Sequence, residues 1–117
     1  MFQKKICVVV GGAKGRGSCL VEKYAQQNYY IAFMDTDKES GSLLKQKVEE
    51  QYGKRVFFFH GDVNSEEDLE LFAGAVIGQF RKVDRLYYRV DIAEKAREIA
   101  GLLERNLKKG GIVEAYC

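Results

Sequence analysis

The 117-residue sequence predicts an α/β fold of three layers, with helices on both faces of a doubly wound, parallel, five-stranded sheet in the order 3-2-1-4-5. Three observations predict it. Short apolar runs alternate with helical patterns from one end to the other, which implies parallel strands joined by right-handed crossovers. The first run, Ile6-Cys7-Val8-Val9-Val10, is continuous and β-branched, as a strand buried on both faces requires. A glycine-rich string follows that run directly and opens the first helical pattern, which places a crevice where the strand order reverses between strands one and four. Residues 1–117 read as one domain, long enough to bury a core without disulfides or metal.

After the glycines, Cys19, Leu20, Tyr24 and Ala25 share one side of a helix, and Asn28 can end it in a left-handed conformation. Tyr30 to Met34 is the second strand. Ser40 to Tyr52 reads as a helix carrying Leu43, Leu44 and Val48, with Gly53 as its stop. Val56 to Phe59 is the third strand. Ser65-Glu66-Glu67-Asp68 resembles a capping box, and Leu69, Phe72, Ala73, Val76, Ile77 and Phe80 follow at helical spacing. Leu86 to Val90 is the fourth strand. Asp91 and Glu94 frame another cap, Ile92, Ala96, Ile99, Leu103 and Leu107 form its helical stripe, and Gly110 stops it. Ile112 to Tyr116 is the fifth strand.

Bulk composition excludes several classes. A formal net charge of +2 is too small to argue for nucleic acid or a membrane surface. No apolar run approaches membrane-spanning length, and Met1 is not followed by a signal-peptide pattern. The three cysteines, Cys7, Cys19 and Cys117, form neither a disulfide framework nor, with His60, a metal-ligand spacing. Cys7 and Cys19 read as small core residues in a reducing, cytoplasmic protein. No metal ligand is expected.

The residues that carry chemistry are Gly11-Gly12-Ala13-Lys14-Gly15-Arg16-Gly17. A phosphate needs a tight turn, a close backbone approach and N–H groups at a helix start, and Gly11, Gly15 and Gly17 can supply them. Asp35 closes the second strand about twenty residues on, where a carboxylate can accept from a ribose hydroxyl. Asp62 and Val63 follow the third strand, near where an adenine would lie. Two plainer readings stay open: the glycines as a sharp turn only, and Asp35 and Asp62 as ordinary strand-end turn formers.

Together these residues resemble the nucleotide-binding, N-terminal half of the short-chain dehydrogenase/reductase family, a Rossmann-type fold. Val10-Gly11-Gly12-Ala13-Lys14-Gly15-Arg16-Gly17 is similar to the family's T-G-x-x-x-G-x-G loop, with Val10 in place of Thr and Arg16 in place of the usual Ile. His60-Gly61-Asp62-Val63 resembles its adenine-contacting segment. The resemblance implies a cofactor site formed by Gly11, Ala13, Lys14, Gly15, Arg16, Gly17, Asp35, Asp62 and Val63. Asp35 matches the family's NAD-selecting acid, so NAD, bound weakly, is the expected cofactor and NADP is less favoured. Lys14 stands where a basic residue accompanies NADP in some members.

The resemblance runs from about Lys5 to Leu86, then fails, and returns weakly at Gly110-Gly111-Ile112-Val113. Where the family continues into N-N-A-G, this chain has Tyr87-Tyr88-Arg89-Val90. None of its seven tyrosines has a lysine four residues later, so the family's catalytic Ser, Tyr and Lys have no counterpart. No catalytic residue is therefore expected, and no turnover by this chain alone. Arg85, Tyr87 and Arg89 alternate on one face of the fourth strand. They read as a polar, solvated face suited to a compact module, shortened or engineered. The expected partners are a dinucleotide or adenine nucleotide, with no nucleic acid and no membrane. The chain itself is expected to be a monomer or a weak homodimer. A reduced or split oxidoreductase, and a structural domain with a vestigial loop, are the alternatives.

Overall fold

A computed structural model of the chain describes residues 5–13, 15–53, 56–89 and 107–116, and within the last stretch only the side chain of Glu114. The elements are β1 (Ile6–Val10), α1 (Gly15–Gln26), β2 (Tyr30–Asp35), α2 (Lys38–Tyr52), β3 (Val56–His60), α3 (Glu66–Phe80), β4 (Val83–Arg89) and β5 (Leu107–Tyr116). All described pairings are parallel.

Alternation along the strands splits the core in two. Ile6, Val8 and Val10 of β1, Ala32 and Met34 of β2 and Leu86 of β4 pack with Leu69, Phe72, Ala73 and Val76 of α3. Cys7 and Val9, Ile31 and Phe33, and Tyr87 pack on the other face with Val21, Tyr24 and Ala25 of α1 and Leu44 and Val48 of α2. This is the three-layer arrangement. The β-branched run Val8-Val9-Val10 is wholly buried because helices cover both of its faces.

The helix ends are chemically marked. Asp37 caps α2 by accepting from Ser40 N, and Gly53 ends it at φ 62°. Ser65 caps α3 by accepting from Asp68 N. Asn28 takes φ 71° after α1, as expected of it.

Four expectations need correction. The first concerns the sheet of five regular strands, each reached by a helix. The part with described connections and side chains is four-stranded, in the order β3-β2-β1-β4. Along its outer edge β4 pairs with the segment Leu107–Tyr116, whose register shifts between Val83↔Leu107 and Arg85↔Ile112. That segment includes Leu107 to Gly111, which helical periodicity assigns to the last residue of the helical stripe, the helix end and its stop; pairing with a distant strand outweighs such a local signal. The expected helical stripe from Ile92 to Leu103 and its Asp91–Glu94 cap lie outside the described residues, as do Val90 and Cys117.

The second concerns β4, which starts at Val83 rather than Leu86. Asp84 is buried there because one carboxylate oxygen accepts from Ile6 N at 2.8 Å and lies 3.4 Å from Lys82 Nζ. The third is the polar face of β4. Tyr87 is 6% exposed, and its hydroxyl hydrogen-bonds that of Tyr24 on α1. A tyrosine is readily buried when its hydroxyl has a partner. Burial, then the bond to Tyr24, pushes the Tyr87 phenol well above its ordinary range. The fourth is Cys19, which is exposed; Cys7 is buried as expected.

Candidate dinucleotide site

The strands point their C-terminal ends to one edge, and three loops meet there. After Val10, Gly11 turns at φ 87°. The N–H groups of Gly11 and Gly12 both donate to Met34 O of β2, at 2.7 and 3.2 Å. A side chain at Gly12 would put its Cβ 2.9 Å from Phe33 Cβ and 3.2 Å from Val9 Cγ1, so this close approach requires glycine. Ala13 N then donates to Asp35 Oδ2 at 3.0 Å. Gly15 starts α1 at φ 58°, and a Cβ built on it would meet nothing within 4 Å. Gly17 is buried in the first turn of α1, where Ser18 Oγ donates to Gly15 O at 2.7 Å.

Asp35 ends β2 and is only 8% exposed. Its Oδ2 accepts from Ala13 N and its Oδ1 accepts from Asp37 N at 2.9 Å. Its main-chain carbonyl accepts from Gly61 N at 3.1 Å. The exposed His60, protonated on Nε2, donates to Thr36 O at 3.1 Å. Beyond β3, Asp62 forms a turn of its own: Oδ1 accepts from Asn64 N at 2.8 Å and its N–H donates to Asp68 Oδ2 at 2.7 Å. Val63 is buried in the core beside α3.

The structure thus brings Gly11, Ala13 and Asp35 into one hydrogen-bonded cluster, with Gly15 and Gly17 continuing it into α1. Asp62 and Val63 join through Gly61, the former facing solvent and the latter the core. Arg16 is exposed on α1, where it lines a shallow hollow with Cys19, Leu20 and Lys23. Lys14 lies outside the described residues. Asp37 and its cap on Ser40 were missed from sequence. The spacing Asp37-x-x-Ser40, an N-cap acceptor set three residues before a hydroxyl, was the available signal.

Residues 5–109 match the short chain dehydrogenase family. A probable galactose dehydrogenase of Rhizobium meliloti is 32% identical over 97 residues, which are 83% of this chain and 36% of that protein. Two solved structures share the fold. L-sorbose reductase from Gluconobacter frateurii, complexed with NADPH and L-sorbose, superposes with a TM-score of 0.82 at 18% identity, covering 96% of this chain and 52% of that one. NAD+-bound xylitol dehydrogenase gives a TM-score of 0.77 at 22% identity, covering 90% and 48%. The chain therefore spans about a third of the curated relative and about half of the solved ones.

The expectation that NADP is less favoured than NAD is corrected by these findings, because structures of this fold carry either NADPH or NAD+. Asp35 accepts from two backbone N–H groups, and solved relatives holding either dinucleotide leave no basis for ranking NADP below NAD. With its glycine loop, its parallel sheet and a match over residues 5–109, this chain belongs to the short-chain dehydrogenase family.

Proposed function

We propose that this chain is a dinucleotide-binding module that holds the adenosine diphosphate portion of NAD or NADP and carries out no hydride transfer by itself. The observation that supports it most is the loop between β1 and α1. Its first half is pinned to Met34 and Asp35, while the Cβ position of Gly15 looks into open space. A phosphate approaching there meets backbone rather than side chain, at the positive end of a helix.

In this reading Gly11, Ala13, Gly15, Arg16 and Gly17 surround the diphosphate, and Asp62 and Val63 stand on the adenine side. A bound nicotinamide would supply hydride chemistry, but this sequence has no Tyr-x-x-x-Lys pair to move the accompanying proton. The chain acts as a monomer or a weak homodimer.

The experiment is a calorimetric series through adenosine, AMP, ADP, NAD+ and NADP+. Affinity should rise up to ADP and then flatten, with dissociation constants in the micromolar to millimolar range, about 4–8 kcal/mol. Equal, unmeasurable binding across the series would refute the proposal. A second reading, one part of an oxidoreductase completed by further residues, is favoured by the coverage of about half of each solved relative. NADH oxidation on adding such a part, abolished by altering Gly15, would support it.

A further inference from the structure

We infer that β3 is the edge through which two copies of this chain associate, their β3 strands pairing antiparallel about a two-fold axis at Phe58 and joining two sheets into one. β3 closes the sheet on the side away from β4. A strand in that position carries a row of main-chain donors and acceptors that its own sheet does not use, and such edges are ordinarily blunted by charge, proline or a bulge. Val56-Phe57-Phe58-Phe59-His60 contains no Lys, Arg, Asp, Glu or Pro. Its register with β2 runs unbroken from Ile31↔Val56 to Asp35↔His60. Gly61 N donates to Asp35 O. By alternation the main-chain groups of Phe57 and Phe59 also turn to β2, and those of Val56, Phe58 and His60 turn outward.

This edge is complementary to itself. Pairing about Phe58 sets Phe58 against Phe58, Val56 against His60 and Phe57 against Phe59, and the outward-turned residues then exchange about six main-chain bonds. All three phenylalanines are half-buried in one copy, Phe58 stacked on Phe33 and Phe57 and Phe59 against Phe72. Aromatic cross-strand pairs can therefore form on both faces of the joined sheet. The flank of α2 adds charge complementarity. α2 lies directly over β3, where a Cβ at Gly41 would overlap the Phe58 ring. Beside that ring Ser42, Lys45, Gln46, Glu49 and Glu50 wall an open hollow of 340 Å³. Glu50 already accepts from Gln46 Nε2 at 3.0 Å. Lys45 and Glu49 stand about one turn apart, and neither is in an ion pair among the described residues. An antiparallel copy runs its α2 in the opposite direction, which sets each Lys45 toward the other copy's Glu49. A second copy supplies that charge pair twice by symmetry, as an isologous contact requires.

One short strand edge and one helix flank make an interface below about 1,200 Å², so association is weak, with a dissociation constant of about 10–500 µM. Sedimentation equilibrium of the 117-residue chain, up to about 1 mM, measures it. Lys45→Glu and Glu49→Lys should each weaken dimerisation by about tenfold, and the double variant should return to within about threefold of the parent. Neither residue belongs to the buried core. Amide exchange on the parent tests the same edge without any substitution. Raising the concentration should slow exchange at Phe58, whose N–H turns outward, and leave Phe59, already bonded to β2, unchanged. A parent that stays monomeric to about 1 mM would overturn the inference. So would single reversals without effect, or a double variant that stays as weak as the single ones. Protection gained away from β3 would overturn it too and place the contact on another face. None of these outcomes depends on whether the chain binds a dinucleotide.

Discussion

Gly15 and Gly53 form a matched pair at opposite ends of the sheet, with φ 58° and 62°. Gly15 opens α1 at the C-terminal edge; Gly53 closes α2 before β3 begins, at the N-terminal edge. An added Cβ meets nothing within 4 Å at either position. Replacing each by alanine therefore carries no steric penalty, only the cost of placing an L-residue in the left-handed region, about 1 kcal/mol. The cap bond from Gly53 N to Glu49 O, at 3.0 Å, survives the substitution. Each variant should melt about 4 °C below the parent. Binding separates them. On the proposed reading, the methyl group of Gly15→Ala would occupy the space through which a diphosphate reaches the backbone, so ADP affinity should fall by about tenfold or more. Gly53→Ala should bind ADP as the parent does. Thermal melting and ADP titration on the three proteins give the four comparisons needed. Equal binding by all three, or equal loss in both variants, would refute the reasoning.

Stability should fall in alkali. Burial holds Cys7 above its ordinary value of 9.0 and Tyr29 and Tyr87 above 10.0 in the folded chain. Above those ordinary values the unfolded chain has shed protons that the folded chain keeps, so unfolding is favoured as pH rises. Denaturant midpoints should be steady below about pH 9 and decline above it, and a flat or rising profile would contradict the burial of these groups. A thiol reagent should modify exposed Cys19 in the native protein and reach buried Cys7 only on unfolding. Peptide mapping after brief labelling checks this, and rapid modification of Cys7 would overturn it.

What could be read from the sequence was whatever depended on neighbours along the chain. The buried run Val8-Val9-Val10, the left-handed stops at Asn28 and Gly53 and the Ser65 cap all follow from local chemistry. What escaped depended on partners far away. Asp84 is buried by an N–H 78 residues distant, and nothing around it in the chain announces that bond. Tyr87 reads as solvated until Tyr24, 63 residues away, supplies its hydroxyl partner. Leu43 fits the helical stripe of α2 yet is 60% exposed, because the helix turns Leu44 and Val48 to the sheet instead. The site shows the same division. Glycine positions and the place of Asp35 were legible, since a turn and a strand end are local features. The direction of the Asp35 carboxylate was not, because it is set by Ala13 N across the sheet edge.

The most direct test of the central claim is an amide chemical-shift map of the chain titrated with NAD+ and, separately, with NADP+. The account predicts that Gly11, Ala13, Gly15 and Gly17 shift with both ligands, that Asp35 and Gly61 follow, and that Gly53 and the start of β3 do not move. No change around Gly15 at about millimolar ligand, or changes centred away from the C-terminal edge of the sheet, would contradict it.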